Sequence, residues 1–314
     1  MMMNIIISIY RKFNSIFILP IKRKYYRRYT KYTHTGKIAL CCIAKLENDY
    51  IRFFVEYYKS LHFDKIIIYD NNEPDGERFE EVIGDYIQSG FVELVAFRGR
   101  KAPQMEAYQD AYDRYNKDYD WLAFFDCDEF LTFVDGTDNI HSFLSREIFN
   151  PFQVVHFNWM VYGDNEMLDN DGRNIIERFQ NPIMPYNFET PYASFPENYH
   201  VKSIVRGGLC DIKWENGSHT PQSCYSKCCN PIGVPVKSNS HQDIEYNSAY
   251  IRHYSTKTIG EWVKNKMKKG DVFYSGEKAE QMVSLDFFFR YNMKTEDKMK
   301  YAEKLIQNYC IKDE

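Results

Sequence analysis

Acidic residues are missing from the first 37 positions, which carry nine Lys or Arg and no Asp or Glu. The rest of the chain holds 31 basic against 44 acidic side chains. A basic arm on an acidic body argues against a nucleic-acid binder, whose positive surface would spread over the folded part. A membrane-spanning helix is also missing. The apolar stretch from Ile5 to Ile21 is broken by Arg11, Lys12 and Asn14, whereas a span needs about 20 mostly apolar residues. No small-residue cleavage site follows it, so it does not read as a secretory signal. Without an export signal, the eight cysteines, Cys41, Cys42, Cys127, Cys210, Cys224, Cys228, Cys229 and Cys310, are expected as free thiols in a reducing, cytoplasmic setting. Cys210, Cys224, Cys228 and Cys229 lack the paired C-x-x-C spacing that would mark a zinc site. No internal repeat and no low-complexity linker divides the chain.

What is present begins with the arm. Its apolar stretch is followed by Lys22, Arg23, Lys24, Arg27 and Arg28, interleaved with Tyr25, Tyr26 and Tyr29. That pattern fits a segment lying on an anionic membrane surface, on the cytoplasmic face. The alternative is a helix packed on the body by its apolar side. Aromatic residues make up 17% of the chain. They serve core packing first, and clefts that stack rings against sugars or bases second.

Residues 38–130 alternate between two patterns. Ile38 to Ala44, Lys65 to Tyr69, Phe91 to Phe97 and Trp121 to Phe125 are short apolar runs without a helical period and read as buried strands. Between them lie helical segments. Ile51, Phe54, Val55, Tyr58 and Leu61 share one face, after a cap at Asn48 or Asp49. Glu77 to Ser89 ends at Gly90, and a third helix runs from Pro103 to about Lys117. This alternation predicts an α/β fold with a mostly parallel, doubly wound sheet. Ligands of such sheets bind outside the carboxyl ends of the strands. Lys45 and Glu47, Asp70 and Asn71, and Asp126 and Asp128 all stand at those ends. Beyond Phe130 the alternation decays. Gln153 to Trp159 and Ala249 to Tyr254 read as strands, residues 160–247 as irregular, Thr258 to Lys268 as a helix and Lys278 to Gln307 as two helices. His156, among apolar neighbours, reads as a core residue.

Asp126 and Asp128 are two residues apart. On extended backbone both would point to one side and Cys127 to the other. Two carboxylates on one side repel unless paired, and a divalent cation relieves that. Hard oxygen ligands suit Mn²⁺ or Mg²⁺, which keep open positions for substrate phosphates.

These residues carry a resemblance. The segments Cys42 to Glu47, Ile68 to Asn72 and Asp120 to Phe130, followed by Ile175 to Phe179 and Ile251 to Lys257, resemble glycosyltransferase family 2-like proteins, in the branch close to family 92. The resemblance spans roughly residues 38–270. It implies a GT-A type Rossmann-like fold, a nucleotide-diphospho-sugar donor and a divalent metal. It implies that Asp70 lies near the donor base or ribose with Lys45, Glu47 and Asn71 close by, and that Gln104 lines the same pocket. Asp126 would contact the ribose or the metal, and Asp128 the metal. A late histidine, His253 or His219, would complete the metal shell, and Lys257 would hold the diphosphate. Two departures from the family pattern stand out: Leu46 where Asn is common, and Glu73-Pro74 where a small hydroxyl residue is usual.

An inverting transfer needs a carboxylate base near the acceptor hydroxyl, for which Glu177, Glu215 and Asp164 are candidates. The expected division is a 1–37 arm, a 38–275 glycosyltransferase domain and 276–314 C-terminal helices. The expected activity moves a sugar to a glycan or lipid-linked acceptor in surface polysaccharide or glycoconjugate synthesis. A nucleotidyltransferase would want a Gly-rich phosphate loop, and Ile43 to Asp49 has none. A non-catalytic binding protein with a degenerate fold would not need the carboxylates. If the arm tethers the protein, deleting residues 1–34 releases it from anionic vesicles in a flotation assay without removing donor hydrolysis. Equal vesicle binding by both forms rules the tether out.

Overall fold

The run Ile38–Ala44 forms strand β1 in a computed structural model that describes residues 34–183, 196–215, 217–223, 226–237, 243–269 and 277–310, with Ile16 and Pro20. Its side chains enter two cores in alternation. Ile38, Leu40, Cys42 and Ala44 face helices α1 (Asn48–Ser60) and α2 (Glu80–Gln88), whereas Ala39 and Cys41 face α3 (Gln104–Tyr115). Burial on both faces is why the run shows no polar alternate. α1 buries Tyr50, Ile51, Phe54, Val55 and Tyr58 as its spacing predicts. Its cap differs from expectation: Glu47 holds that position without a side-chain cap bond, because its carboxylate is drawn to two lysines described below. α2 starts three residues later than expected, because the Glu77 carboxylate accepts from the Asn48 amide at 3.0 Å and its carbonyl from Arg98 at 2.7 Å. Gly90 ends that unit at φ 79°, in the left-handed region open to glycine.

Strands β2 (Lys65–Asp70), β3 (Val92–Ala96) and β4 (Trp121–Phe124) complete a parallel half-sheet in the order β3-β2-β1-β4. The chain moves outward from β1 through β2 to β3, then crosses back to add β4 on the other side of β1. The direction of winding therefore reverses between β1 and β4. A crevice opens at such a reversal, beyond the carboxyl ends of the two strands.

The second half of the sheet was less legible. It continues β4-β7-β6-β10-β5, from strands β5 (Glu129–Phe133), β6 (Val154–Val161), β7 (Val201–Arg206) and β10 (Ala249–His253), with the short β8 (Cys228–Cys229) and β9 (Pro235–Val236) beside β6. β7 runs antiparallel to both β4 and β6, β5 antiparallel to β10, and β10 parallel to β6. The α/β architecture expected from the sequence is present, with its parallel pairs concentrated around β1. β5 and β7 were not anticipated, and β7 lies inside the segment read as irregular.

After β10, Thr258 and Glu261 form a reciprocal capping box. The helix it starts, α4 (Ile140–Leu144) and α5 (Ile175–Arg178) having come earlier, is α6 (Ile259–Glu261). It runs through a π-helical turn, Trp262–Lys266, into α7 (Met267–Lys269). Three further helices follow instead of two: α8 (Glu277–Met282), α9 (Leu285–Tyr291) and α10 (Glu296–Cys310). They share a core with the π turn through Trp262, Val263, Phe288 and Ala302. No described helix is long and apolar enough to cross a membrane, and nearly all of the basic arm lies outside the described residues.

His156 is buried on β6 with its Nδ1 3.0 Å from the Ser203 hydroxyl. Burial pushes this imidazole down to about 3 from an ordinary 6.5. The unfolded chain thus binds a proton near pH 6.5 that the folded chain refuses until about pH 3, and stability falls as pH drops through that window. The slope is up to about 1.4 kcal/mol per pH unit for each such histidine. Urea midpoints from pH 7.5 to 4.5 are expected to fall, and His156→Gln to flatten the fall.

Candidate functional site

The chain leaves β4 at Phe124 and turns sharply over Asp126 to Glu129. The Glu129 amide donates to the Asp126 carbonyl at 3.1 Å, and the Asp126 amide to Glu129 Oε2 at 2.9 Å. The segment is a turn, not the extended backbone expected. Both carboxylates still border the same cavity, of about 490 Å³. Cys127 turns inward against Cys42 and is buried.

Asp126 is held from three directions. Gln104 Nε2 and Tyr108 Oη each donate to its Oδ1 at 2.7 Å, and Lys202 Nζ donates to its Oδ2 at 2.8 Å. Lys202 is fully buried on β7, and its ammonium also lies 3.5 Å from Glu129 Oε2. Burial opposes the Asp126 charge, but the ammonium overcomes it and brings the carboxyl down to about 2. Burial likewise opposes the Lys202 charge, and Asp126 and Glu129 raise that group above its usual value. Glu129 goes the other way: burial, reinforced by the Asp126 and Asp128 charges, pushes it well up. Its Oε1 is buried without a hydrogen-bond partner among the described residues. Two acids, Asp126 and Glu129, thus share one buried ammonium, and Asp126 makes the closer contact.

Asp128 stands apart, with His253 as its neighbour. His253 Nε2 is 3.9 Å from Asp128 Oδ1. Two atoms binding one Mg²⁺-sized cation at about 2.1 Å each lie no more than about 4.2 Å apart. Burial pushes His253 down to about 4, so its imidazole is neutral with a lone pair to offer. Trp159 packs on that ring with centroids 3.9 Å apart. Asp128 and His253 thus fit a cation that takes its other ligands from water and phosphate. Asp126 is less available, since a cation there would compete with Lys202. Among the described residues no group of three or more His, Cys, Asp or Glu is placed to hold a metal ion.

A basic wall adjoins these groups. Glu47 is nearly buried and accepts from Lys257 at 2.9 Å and Lys269 at 3.0 Å. Burial works against its charge, and the two lysines bring it down to about 2. Lys257 Nζ also lies 3.7 Å from the Tyr50 ring centroid. Its φ of 53° is left-handed, a strain of about 1–3 kcal/mol that such contacts must offset. Lys257, Lys266 and Lys269 border one recess with Asp128. Lys45, Asn71, Gln104 and Asp126 border another with Lys266 and Lys269.

A sequence profile of glycosyltransferase family 92 matches residues 38–308, which takes in both halves of the sheet and the wall from the C-terminal helices. The chain belongs to glycosyltransferase family 92. No curated protein matches it. Among solved structures it is similar to S. aureus TarS, with a TM-score of 0.35 and 10% identity over 83% of this chain and 44% of that one. It is also similar to the glucosyl-3-phosphoglycerate synthase of Mycobacterium tuberculosis in complex with Mn²⁺, uridine diphosphate and glucosyl-3-phosphoglycerate, with a TM-score of 0.27 and 15% identity over 54% of this chain and 56% of that one. The chain therefore spans less than two thirds of either structure.

In this family 92 chain the sequence-derived candidates divide into two groups. Gln104, Asp126, Asp128, His219 and His253 line the large cavity, and Lys45, Glu47, Asn71 and Lys257 line the recesses beside it. Asp70 lies behind the wall, ion-paired to Arg98 at 2.7 Å. The three base candidates are not brought to the cavity. Glu177 and Glu215 are exposed, and Asp164 is buried in an ion pair with Lys298. Glu177 does not pair with Arg178, which makes a buried bidentate pair with Glu261 and donates to the Tyr50 hydroxyl. Of the two family departures, Glu73 pairs with Lys45 at 2.7 Å, so the loop steers a basic side chain of the recess. Leu46 adopts φ 54°, a conformation that Asn takes more readily than Leu.

Sequence reasoning missed Lys202, Lys266 and Lys269. The first was hidden as a lone charge in an apolar stretch, and the lysines at 264–269 resemble a solvated helix face. Lys202→Met leaves Asp126, at the cavity wall, without its counter-ion and is expected to cost about 1–3 kcal/mol. The double variant Lys202→Met/Asp126→Asn is expected to recover most of that, read from urea unfolding. Equal stability of wild type and Lys202→Met would show that the pair contributes nothing.

Proposed function

We propose that the protein transfers a sugar from a nucleotide-diphosphate donor to a hydroxyl of a glycan or lipid-linked acceptor, with a divalent cation, in surface polysaccharide or glycoconjugate synthesis. The observation that carries this reading is the convergence of Asp126, Asp128 and His253 with Lys266 on one cavity at the β1–β4 reversal. Family membership supports the same chemistry. A nucleotidyltransferase is disfavoured because the β1–α1 junction, Lys45-Leu46-Glu47, contains no glycine.

Asp128 and His253 would hold the Mn²⁺ or Mg²⁺. The cation supplies Lewis-acid neutralisation of charge on the departing diphosphate. The chain's own groups do the rest. Lys266 and Lys269 border the recess that opens beside Asp128, where cationic side chains suit a diphosphate. Glu47 holds Lys257 and Lys269 in place from behind. Asp126, fixed by Gln104, Tyr108 and Lys202, presents a carboxylate of single orientation to a donor hydroxyl. Such preorganised charge stabilises a transition state without reorganisation at the moment of reaction.

Asp128→Ala is expected to abolish metal-dependent release of nucleotide from a nucleotide sugar. It is also expected to erase the Mn²⁺-dependent rise in melting temperature that a bound donor produces by mass action. The fold should persist, because Asp128 is 22% exposed in its side chain and its loss removes a like-charge neighbour of Asp126. Transfer that survives a chelator at the wild-type rate would refute the metal requirement.

A further inference from the structure

The cavity has a second side, built by residues distant in sequence from the Asp-x-Asp turn. The 3₁₀ turn Pro196–Tyr199 is pinned to β6 by Asn198, whose Oδ1 accepts from the Val161 amide at 3.0 Å and whose carbonyl accepts from Asn158 at 3.2 Å. The turn carries Glu197 into the cavity that Asp126, Asp128 and His253 line. Tyr291 Oη donates to Glu197 Oε1 at 3.1 Å, and Arg290 Nη2 stands 3.9 Å from the same oxygen. Both residues come from α9, so the C-terminal helices complete this side. The other oxygen, Oε2, has no partner among the described residues and is open to a ligand.

Among the described lining residues the carboxylates are Asp126, Asp128 and Glu197. Asp126 is committed to Lys202, Gln104 and Tyr108. Asp128 faces His253. His219 also borders the cavity, but burial pushes its imidazole down to about 3, too weak a base for proton abstraction near neutral pH. Glu197 is the carboxylate left with an open oxygen and a fixed orientation.

We propose that Glu197 is the general base of the transfer. This rests on the glycosyltransferase reading above. Glu197 Oε2 takes the proton of the acceptor hydroxyl as that oxygen forms its bond to the anomeric carbon. The bond from that carbon to the diphosphate oxygen breaks, and its electron pair leaves with the nucleoside diphosphate.

The test measures nucleotide release from a panel of UDP-, GDP- and dTDP-sugars with Mn²⁺, water serving as acceptor, across pH. Wild type, Glu197→Gln and Glu197→Asp are compared. Glu197→Gln is expected to keep the donor-induced rise in melting temperature while kcat falls about 10²–10⁴-fold. The acid limb of its pH profile is expected to vanish. Glu197→Asp, which keeps a carboxylate, should retain that limb and recover part of kcat. Glu197→Gln turning over like wild type overturns the assignment while leaving the glycosyltransferase reading intact. A wild type inert toward every nucleotide sugar in the panel overturns that parent reading, and the assignment with it.

Discussion

The ion pair between the buried Lys202 and the part-exposed Asp126 is the interaction on which the site depends. An ammonium taken out of water is costly unless a carboxylate satisfies it at close range. Here the 2.8 Å contact joins β7 to the turn after β4. A lysine on β7 thereby sets the attitude of a carboxylate that β4 delivers. Glu129 adds the complement: its carboxyl accepts from the Asp126 amide and closes the turn. Asp126 becomes a fixed element of the wall, and Asp128, without such ties, remains the carboxylate facing His253.

The sheet explains why these groups meet. β1 and β4 are neighbours whose connections leave in opposite directions, so no crossover helix fills the space beyond their ends. Two further walls close it. One is basic: the π turn Trp262–Lys266 and α7 bring Lys266 and Lys269 toward Asp128, and Glu47 anchors Lys257 and Lys269. π turns are rare and recur at functional sites. The other wall is the C-terminal bundle, whose α9 supplies Arg290 and Tyr291 to the cavity. The bundle is seated by the shared core around Trp262 and Phe288 and by the Asp164–Lys298 pair. An acid considered as a catalytic candidate thus serves to hold the wall that frames the cavity.

Legibility followed burial. β1 to β4 were readable because strands covered on both faces leave apolar runs, and the helices between them carry a 3.6-residue apolar stripe. β5 and β7 were not. β5 begins with the buried Glu129, and β7 carries Lys202 at its second position. Each charge interrupts the apolar signature at the point where the tertiary structure satisfies it. The segment around Glu177 shows the converse. Its segment matched the family pattern, yet its neighbour Arg178 is the buried residue and finds its partner 83 positions away in Glu261. No spacing rule connects residues that far apart.

The sequence by itself determined the α/β class, the strand ends at Lys45 and Asp126, and the family to which the Asp-x-Asp turn points, because these are local patterns of polarity. Only the tertiary structure decided which carboxylates are free to act. That choice depends on counter-ions from other elements: Lys202 for Asp126, Lys257 and Lys269 for Glu47, Arg98 for Asp70 and Lys298 for Asp164. An acid's chemistry is set by the charge a few ångströms away, and in this protein that charge lies tens to hundreds of residues distant along the chain.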